Sequence, residues 1–310
     1  KWYPGESLPR WAYAIYWRRD GAPLWMDTAM IATGHEGQGD GLDQAEEFTR
    51  QLARTLGVDP DFAMPAYEDP LPYIARERTL PENVDPFDSK LEDPEERARL
   101  ARVFEHGLGK PTGWALPVQR WNARDGHARW MSERWSFRRG KLVLAPGDSP
   151  LGYRLPIPAL PWLPKEVYPY YMPADPFAER APLPDPDRLR QPHLPVAGVA
   201  ADAPQPQVQI GQPLPAEAGG AVRTAIGVEP RDGVLWVFMP PTESADDYVE
   251  LVAAIEQTAA TLRMPVRLEG YTPPHDPRLG VIKVTPDPGV IEANIHPANS
   301  WRELVQFTTG

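Results

Sequence analysis

Along residues 290–296, VIEANIH, apolar and polar side chains alternate with a period of two. This predicts a strand with Ile291, Ala293 and Ile295 on one side and Glu292, Asn294 and His296 on the other. Val281, Ile282 and Val284 read as a partner strand, and Pro286-Asp287-Pro288-Gly289 as the turn between them. Ser300 and Glu303 then stand in capping-box spacing, which predicts a helix start with Trp301 and Leu304 as its first apolar positions. Earlier come a strand to Val228, a loop EPRDG, a strand VLWVFM, a helix over 244–263 and a strand over 266–269. That helix carries Tyr248, Leu251, Val252, Ile255 and Leu262 on one stripe. The expectation for 222–296 is a largely antiparallel sheet with this helix on its apolar face, an α+β arrangement that leaves the polar face for chemistry.

The same patterning organises the first half of the chain. Trp11, Tyr13, Ile15 and Trp17 alternate with Ala12, Ala14, Tyr16 and Arg18, and Asp20-Gly21 precedes Leu24-Trp25, so a β-hairpin is predicted. Leu42, Ala45, Phe48, Leu52 and Leu56 keep helical spacing up to Gly57, which takes the place of a C′ residue. A second helix is predicted from the Asp93 cap and Pro94 through Leu100, Val103 and Phe104 to Gly107. Strands follow near 113–121, 128–138 and 141–145. Between Pro146 and Pro215 the chain holds 18 of its 40 prolines, too many for a ladder of backbone donors. An N-terminal α+β region (1–165), a proline-rich extended connector (166–215) and a second α+β region (216–310) are therefore expected.

Composition narrows the function. The net charge of −11 over 310 residues argues against a nucleic-acid partner, which leaves a basic footprint. One local exception is the run from Pro117 to Lys141, where Arg120, Arg124, Arg129, Arg134, Arg138, Arg139 and Lys141 face only Asp125 and Glu133. Trp114, Trp121, Trp130 and Trp135 interleave with them, so this is either an anion-binding face or a hairpin with arginines stacked on its tryptophans. No apolar run approaches the roughly 20 residues that span a bilayer, so no membrane partner is expected. The absence of cysteine excludes thiolate ligands and a cysteine nucleophile, and fits a cytoplasmic setting. The chain opens at Lys1 and stops at Gly310 inside a predicted helix, as an excised piece of a longer polypeptide would.

Candidate chemistry gathers on the polar side of the last strands. Arg267 and Glu269 oppose Val266 and Leu268, and Lys283 opposes Ile282 and Val284, so with Glu292, Asn294 and His296 they would line one face. Residues two apart on a strand stand about 6 to 7 Å apart, close enough to share a metal or a phosphate-bearing ligand. Gly107-Leu108-Gly109-Lys110-Pro111-Thr112 lacks the spacing of a phosphate loop, and His35-Glu36 and His275-Asp276 lack the second histidine of a zinc site.

KWYPGESLPRWA with YWRRDG, SERW, LAPGDSPLGYRLP, VEPRDG, VFMPPTE, LEGYTPPHDPRL and VTPDPGVIEANIHPANSWRELV resemble the amidoligase domain found C-terminal to transglutaminase-like domains in large bacterial proteins. The resemblance covers nearly the whole chain outside the proline-rich stretch. It implies a partial fold of the glutamine synthetase and glutamate–cysteine ligase superfamily. It also implies a ligase that uses Mg and ATP to join a small-molecule or peptide carboxylate to an amine through an acyl phosphate. Glu292 and Asn294 would then be the catalytic metal-binding pair, with Glu269 and His296 as further metal ligands and Arg267, Lys283 and Arg231 as phosphate contacts. A transglutaminase-like domain would be the partner. A Gly-Gly-Glu-Pro-Thr segment expected before Lys1 and a Gly-rich segment with Asn-His expected after Gly310 are absent, so the chain would be an internal fragment with part of a site. Two other readings stay open from the residues alone: a non-catalytic binding module presenting the Trp/Arg hairpin, and a metal-dependent amide hydrolase.

Overall fold

The computed structural model describes residues 13–33, 41–79, 107–122, 128–137, 140–162, 180–190, 222–287, 290–295 and 300–309, with the single positions 39, 103 and 298. Its elements are β1 (Tyr13–Arg18), α1 (Leu42–Thr55), β2 (Met64–Tyr67), α2 (Leu71–Glu77), β3 (Gly113–Pro117), β4 (Gln119–Asn122), β5 (Ala128–Met131) and β6 (Leu142–Val143). After these come α3 (Pro186–Leu189), β7 (Ala225–Arg231), β8 (Val234–Met239), α4 (Ala245–Leu262), β9 (Val266–Gly270), β10 (Leu279–Asp287), β11 (Val290–Asn294) and α5 (Trp301–Thr309).

The main sheet has six strands in the order β6-β2-β3-β7-β8-β9. The β7–β8 hairpin is its centre. Asp232 and Gly233 both adopt positive φ, 52° and 73°, the backbone that a two-residue turn between twisted strands requires. β3 pairs with β7, so segments from both sides of the proline-rich stretch build one sheet. One face of this sheet is covered by α1 and α4: Trp114, Leu116, Ile226, Val228, Leu235, Val237 and Val266 pack with Phe48, Leu52, Leu251 and Ile255. Fully burying each such aliphatic or aromatic side chain contributes roughly 1.5–3 kcal/mol. α4 begins where the Ser244 hydroxyl accepts from Asp247 N–H and ends where Arg263 turns left-handed at φ 55°.

The opposite face is covered over only part of its width. At the β6-β2-β3 end, Met64, Ala66, Ala115, Leu142 and Ala225 pack against Trp135, Leu144, Leu151, Leu155 and Leu160. Gly113 and Gly227 let Leu151 lie on the sheet, since a Cβ there would come within 2.7 and 2.9 Å of its side chain. Residues 144–160, within the expected N-terminal α+β region, fill a core despite their prolines, because the leucines between them supply apolar surface.

Two expectations for the last strands fail. β8 and β9 run parallel, and β10 does not pair with β9. Instead β10 lies between β1 and β11 in a separate three-stranded antiparallel sheet. The N-terminal hairpin is likewise absent among the described residues: β1 pairs with β10, and Leu24 packs with Leu183, Ala245 and Leu279. The cause lies in residues 271–278, where three prolines and the Asp276–Arg278 knot carry the chain away from β9. Arg278 donates to Asp276 and to Asp246 at the start of α4, and Arg180 donates to Asp276 at 2.5 Å. Burial pushes the Asp276 carboxyl up, but the hydrogen bonds from Arg278 and Arg180 outweigh it and hold it at about 2.

The faces of the small sheet are also reversed relative to expectation. Cross-strand partners share a side, so Ile15 goes with Ile282, and Ile291 and Ala293 lie on that same side. This apolar side faces outward, with Tyr13 71%, Ile15 66% and Ile291 72% exposed. The side carrying Lys283, Glu292 and Asn294 is shared with Tyr16, Arg18 and Leu279, which turn inward; burial and the nearby Tyr16 push the Tyr248 hydroxyl of α4 up to about 12.

The predicted 42–56 helix appears as α1, with Gly57 at φ 71°, and Glu303 N–H donates to the Ser300 hydroxyl at the start of α5. The predicted helix from Asp93 to Phe104 lies outside the described residues, except that Val103 accepts from Gly107 N–H.

Candidate functional site

On the face of the six-stranded sheet away from α1 and α4, the half beyond the 144–160 core carries a cluster of four charged side chains among the described residues. In register, Glu229 stands across from Trp236 and Gly227 from Phe238, while Trp236 pairs with Arg267 and Phe238 with Glu269. Alternation therefore puts Glu229, Arg231, Trp236, Phe238, Arg267 and Glu269 on the face that α1 and α4 leave free. The strands that make the core on one side thereby make the site on the other.

Arg231 is the hub. Its Nη2 donates to Glu269, its Nε lies 3.7 Å from Glu229, and its guanidinium sits 4.2 Å from the centre of the Trp236 ring. Arg267 reaches the same ring at 5.0 Å while its Nε donates to Ala32 O at 3.1 Å. Two guanidinium groups against one indole hold their planes in place, and a phosphate or carboxylate can then be met by an ordered donor. Arg231 Nε is buried and makes no hydrogen bond among the described residues, with the Glu229 carboxylate at 3.7 Å.

Glu229 accepts from Leu151 N–H at 3.4 Å, and burial pushes its carboxyl up while Arg231 pulls it down; the net direction is up. Behind it the buried pair Arg154–Glu68 holds the segment from 151 onward, with Arg154 Nε donating to Ala145 O at 2.8 Å. Tyr153 and Tyr271 stand at the rim, edge-on to Phe238 at 4.8 and 5.9 Å between ring centres.

Arg231, Arg267 and Glu269 are thus brought together; alternation had marked Arg267 and Glu269, and the family resemblance Arg231. Lys283, Glu292 and Asn294 belong to the other sheet. There Lys283 pairs with Asn294 and Thr285 with Glu292, whose Oε2 accepts from the Thr285 hydroxyl at 3.4 Å. Glu292 and Asn294 are exposed on an edge strand, and His296 lies outside the described residues. The single face joining all of them does not exist. Glu229, Trp236, Tyr153 and Tyr271 escaped the reading of the sequence, although alternation about the Asp-Gly turn already placed Glu229 and Arg231 beside Trp236.

The Trp/Arg run resolves partly into packing. Arg120 bridges to Asp247 at 3.4 Å and Glu250 at 2.8 Å, stacks on Trp130 at 5.3 Å, and Trp130 Nε1 donates to the same Glu250. Trp135 is buried and donates to Val222 O. The side chains of Trp121, Arg124, Arg129, Arg138 and Arg139 lie outside the described residues.

The donor set can be weighed against a metal. Among the described residues no group of three or more His, Cys, Asp or Glu could hold an ion alone. Glu229 and Glu269 are the two carboxylates of the cluster, and both are ion-paired with Arg231. No helix of the described residues is long and apolar enough to cross a membrane.

A family model described as "Putative amidoligase enzyme (DUF2126)" matches residues 1–310. No curated protein and no solved structure matches the chain.

Proposed function

We propose that this chain, which belongs to the amidoligase family of that model, joins a carboxylate to an amine at the open face of its six-stranded sheet, using ATP and magnesium. The observation that carries the reading is the cluster of two arginines and two carboxylates around Trp236, on the face of the sheet opposite α1 and α4. Amide formation needs an activated carboxylate, and phosphoryl transfer is accelerated by charge placed beforehand rather than by covalent chemistry on the protein.

In this reading Arg231 and Arg267 orient the phosphates, and their stacking on Trp236 keeps them ordered as charge moves. Glu269 and Glu229 would hold the metal. Lys283, Glu292 and Asn294, on the smaller sheet that packs toward α4, together with His296, are proposed as a second set of cation, oxygen and nitrogen donors, apart from the cluster around Trp236. Mg-ATP, once bound, would supply the phosphoryl group that converts the carboxylate into an acyl phosphate with release of ADP, and attack by the amine would expel phosphate. The same proposal assigns the chain to the sheet-based ligases of the glutamine synthetase type, with a transglutaminase-like partner and a cytoplasmic setting.

Calorimetric titration of the chain with Mg-ATP tests this reading. Binding is expected, and Arg267→Met is expected to weaken it roughly tenfold, since the stem still covers Trp236 while a charge-assisted contact is lost. Equal affinity of the two proteins would remove Arg267 from the phosphate site.

A further inference from the structure

Two Gly-Tyr dipeptides far apart in the sequence, Gly152-Tyr153 and Gly270-Tyr271, close on the same ring. A Cβ on Gly152 would lie 1.9 Å from Phe238 Cδ1, and one on Gly270 would lie 3.0 Å from Phe238 Cδ2. Gly227, across the sheet, keeps Phe238 seated, since a Cβ there would lie 3.4 Å from its Cβ. Three glycines thus let two backbones approach one phenylalanine, and each of the first two delivers a tyrosine to the rim. Such close approach is what glycine permits and other residues forbid.

The product is an aromatic corner. The Tyr153 and Tyr271 rings are 5.3 Å apart, tilted by 58°, and both stand nearly perpendicular to Phe238, at 85° and 89°. Edge contacts with Phe238 fix them, yet Tyr153 is 51% and Tyr271 43% exposed, so their faces remain available. Glu269 lies across from Phe238 on β9, two residues before Tyr271, which follows the strand's end, and its carboxylate, paired with Arg231, helps, after burial and Tyr271, to push the Tyr153 hydroxyl up. Rings this close and this tilted cannot sandwich a flat base between them. Two half-exposed tyrosine rings with a carboxylate near them favour a compact cation.

We infer that the Tyr153–Tyr271 corner, with Glu269 beside it, is the binding subsite for a primary alkylammonium group, the amine substrate of the ligase. This rests on the reading under Proposed function for the word substrate; the binding of the cation does not. Tyr271 follows the end of the strand that carries Arg267 and Glu269, so an amine held there stands near the groups assigned to the phosphates. It favours an extended aliphatic amine over an amine carried on a planar ring.

The test uses n-butylamine hydrochloride as the probe, followed by NMR titration of the chain at neutral pH, with n-butanol as the uncharged isostere. Butylammonium is expected to bind and n-butanol to bind much more weakly. Tyr271→Leu and Tyr153→Leu should each weaken the ammonium roughly tenfold, while Tyr271→Phe and Tyr153→Phe, which keep the ring faces, should stay within about threefold. Equal binding of butanol, no binding of butylammonium, or equal loss in the Phe and Leu variants would overturn the subsite, as would adenosine binding that the Leu variants abolish in place of the amine. ATP turnover is measured in parallel. Ammonium binding without turnover leaves the subsite standing and removes the ligase reading; turnover with an amine KM unchanged in both Leu variants removes the subsite alone.

Discussion

Gly270→Ala is expected to destabilise the chain by about 3 kcal/mol or more, well beyond the usual range for a surface change. Gly270 closes β9 at φ +106°, a conformation L side chains rarely adopt, and its added Cβ would lie 2.6 Å from Met239 O and 2.8 Å from Met239 N. Those atoms belong to the neighbouring strand's backbone and cannot yield without breaking the β8–β9 ladder. Gly21→Ala is the control. Gly21 also has positive φ, 79°, but nothing lies within 4 Å of its Cβ, so only strain of about 1 kcal/mol is expected. Urea unfolding of the three proteins measures the difference. A Gly270→Ala midpoint equal to that of Gly21→Ala would mean that the strand end is not packed as described.

Glu292→Gln is expected to lower Mg-ATP-dependent turnover by roughly a hundredfold or more while leaving stability within about 0.5 kcal/mol. The residue is exposed on the edge strand β11, and its one described hydrogen bond, from Thr285, is long at 3.4 Å. The fold therefore asks little of its charge. A metal would ask a great deal, because the amide offers a neutral oxygen in place of a charged one. Steady-state turnover and thermal unfolding of the same preparations separate the two demands. Intact turnover in the variant would confine the metal to Glu229 and Glu269 on the larger sheet.

Local elements were legible in the sequence because their causes are local. Helical spacing from Leu42 to Leu56, the Ser244 cap and the Asp-Gly turn at 232–233 act within a few residues, and α1, α4 and the β7–β8 hairpin appear accordingly. Pairing was not legible. Alternation tells which residues share a side of one strand, but whether β10 lies beside β9 or β1 depends on contacts such as Arg278 with Asp246, 32 residues away. That single misplacement separated Glu292 and Asn294 from Arg267 and Glu269, and turned Ile15 and Ile291 outward. The proline count of 146–162 concealed Leu151, Leu155 and Leu160, which fill the covered half of the open face. Glu229 and Trp236 were within reach of the same alternation, had it been applied to both arms of the hairpin.

The central claim is that the face around Trp236 couples ATP cleavage to amide formation, and product analysis of the wild-type chain tests it most directly. With Mg-ATP, a panel of carboxylates and an alkylamine, ADP and phosphate are expected to appear in step with an amide, and to stop appearing when the amine or magnesium is withheld. ADP formed at the same rate with and without carboxylate and amine, or an amide consumed rather than made with no nucleotide requirement, would contradict the account.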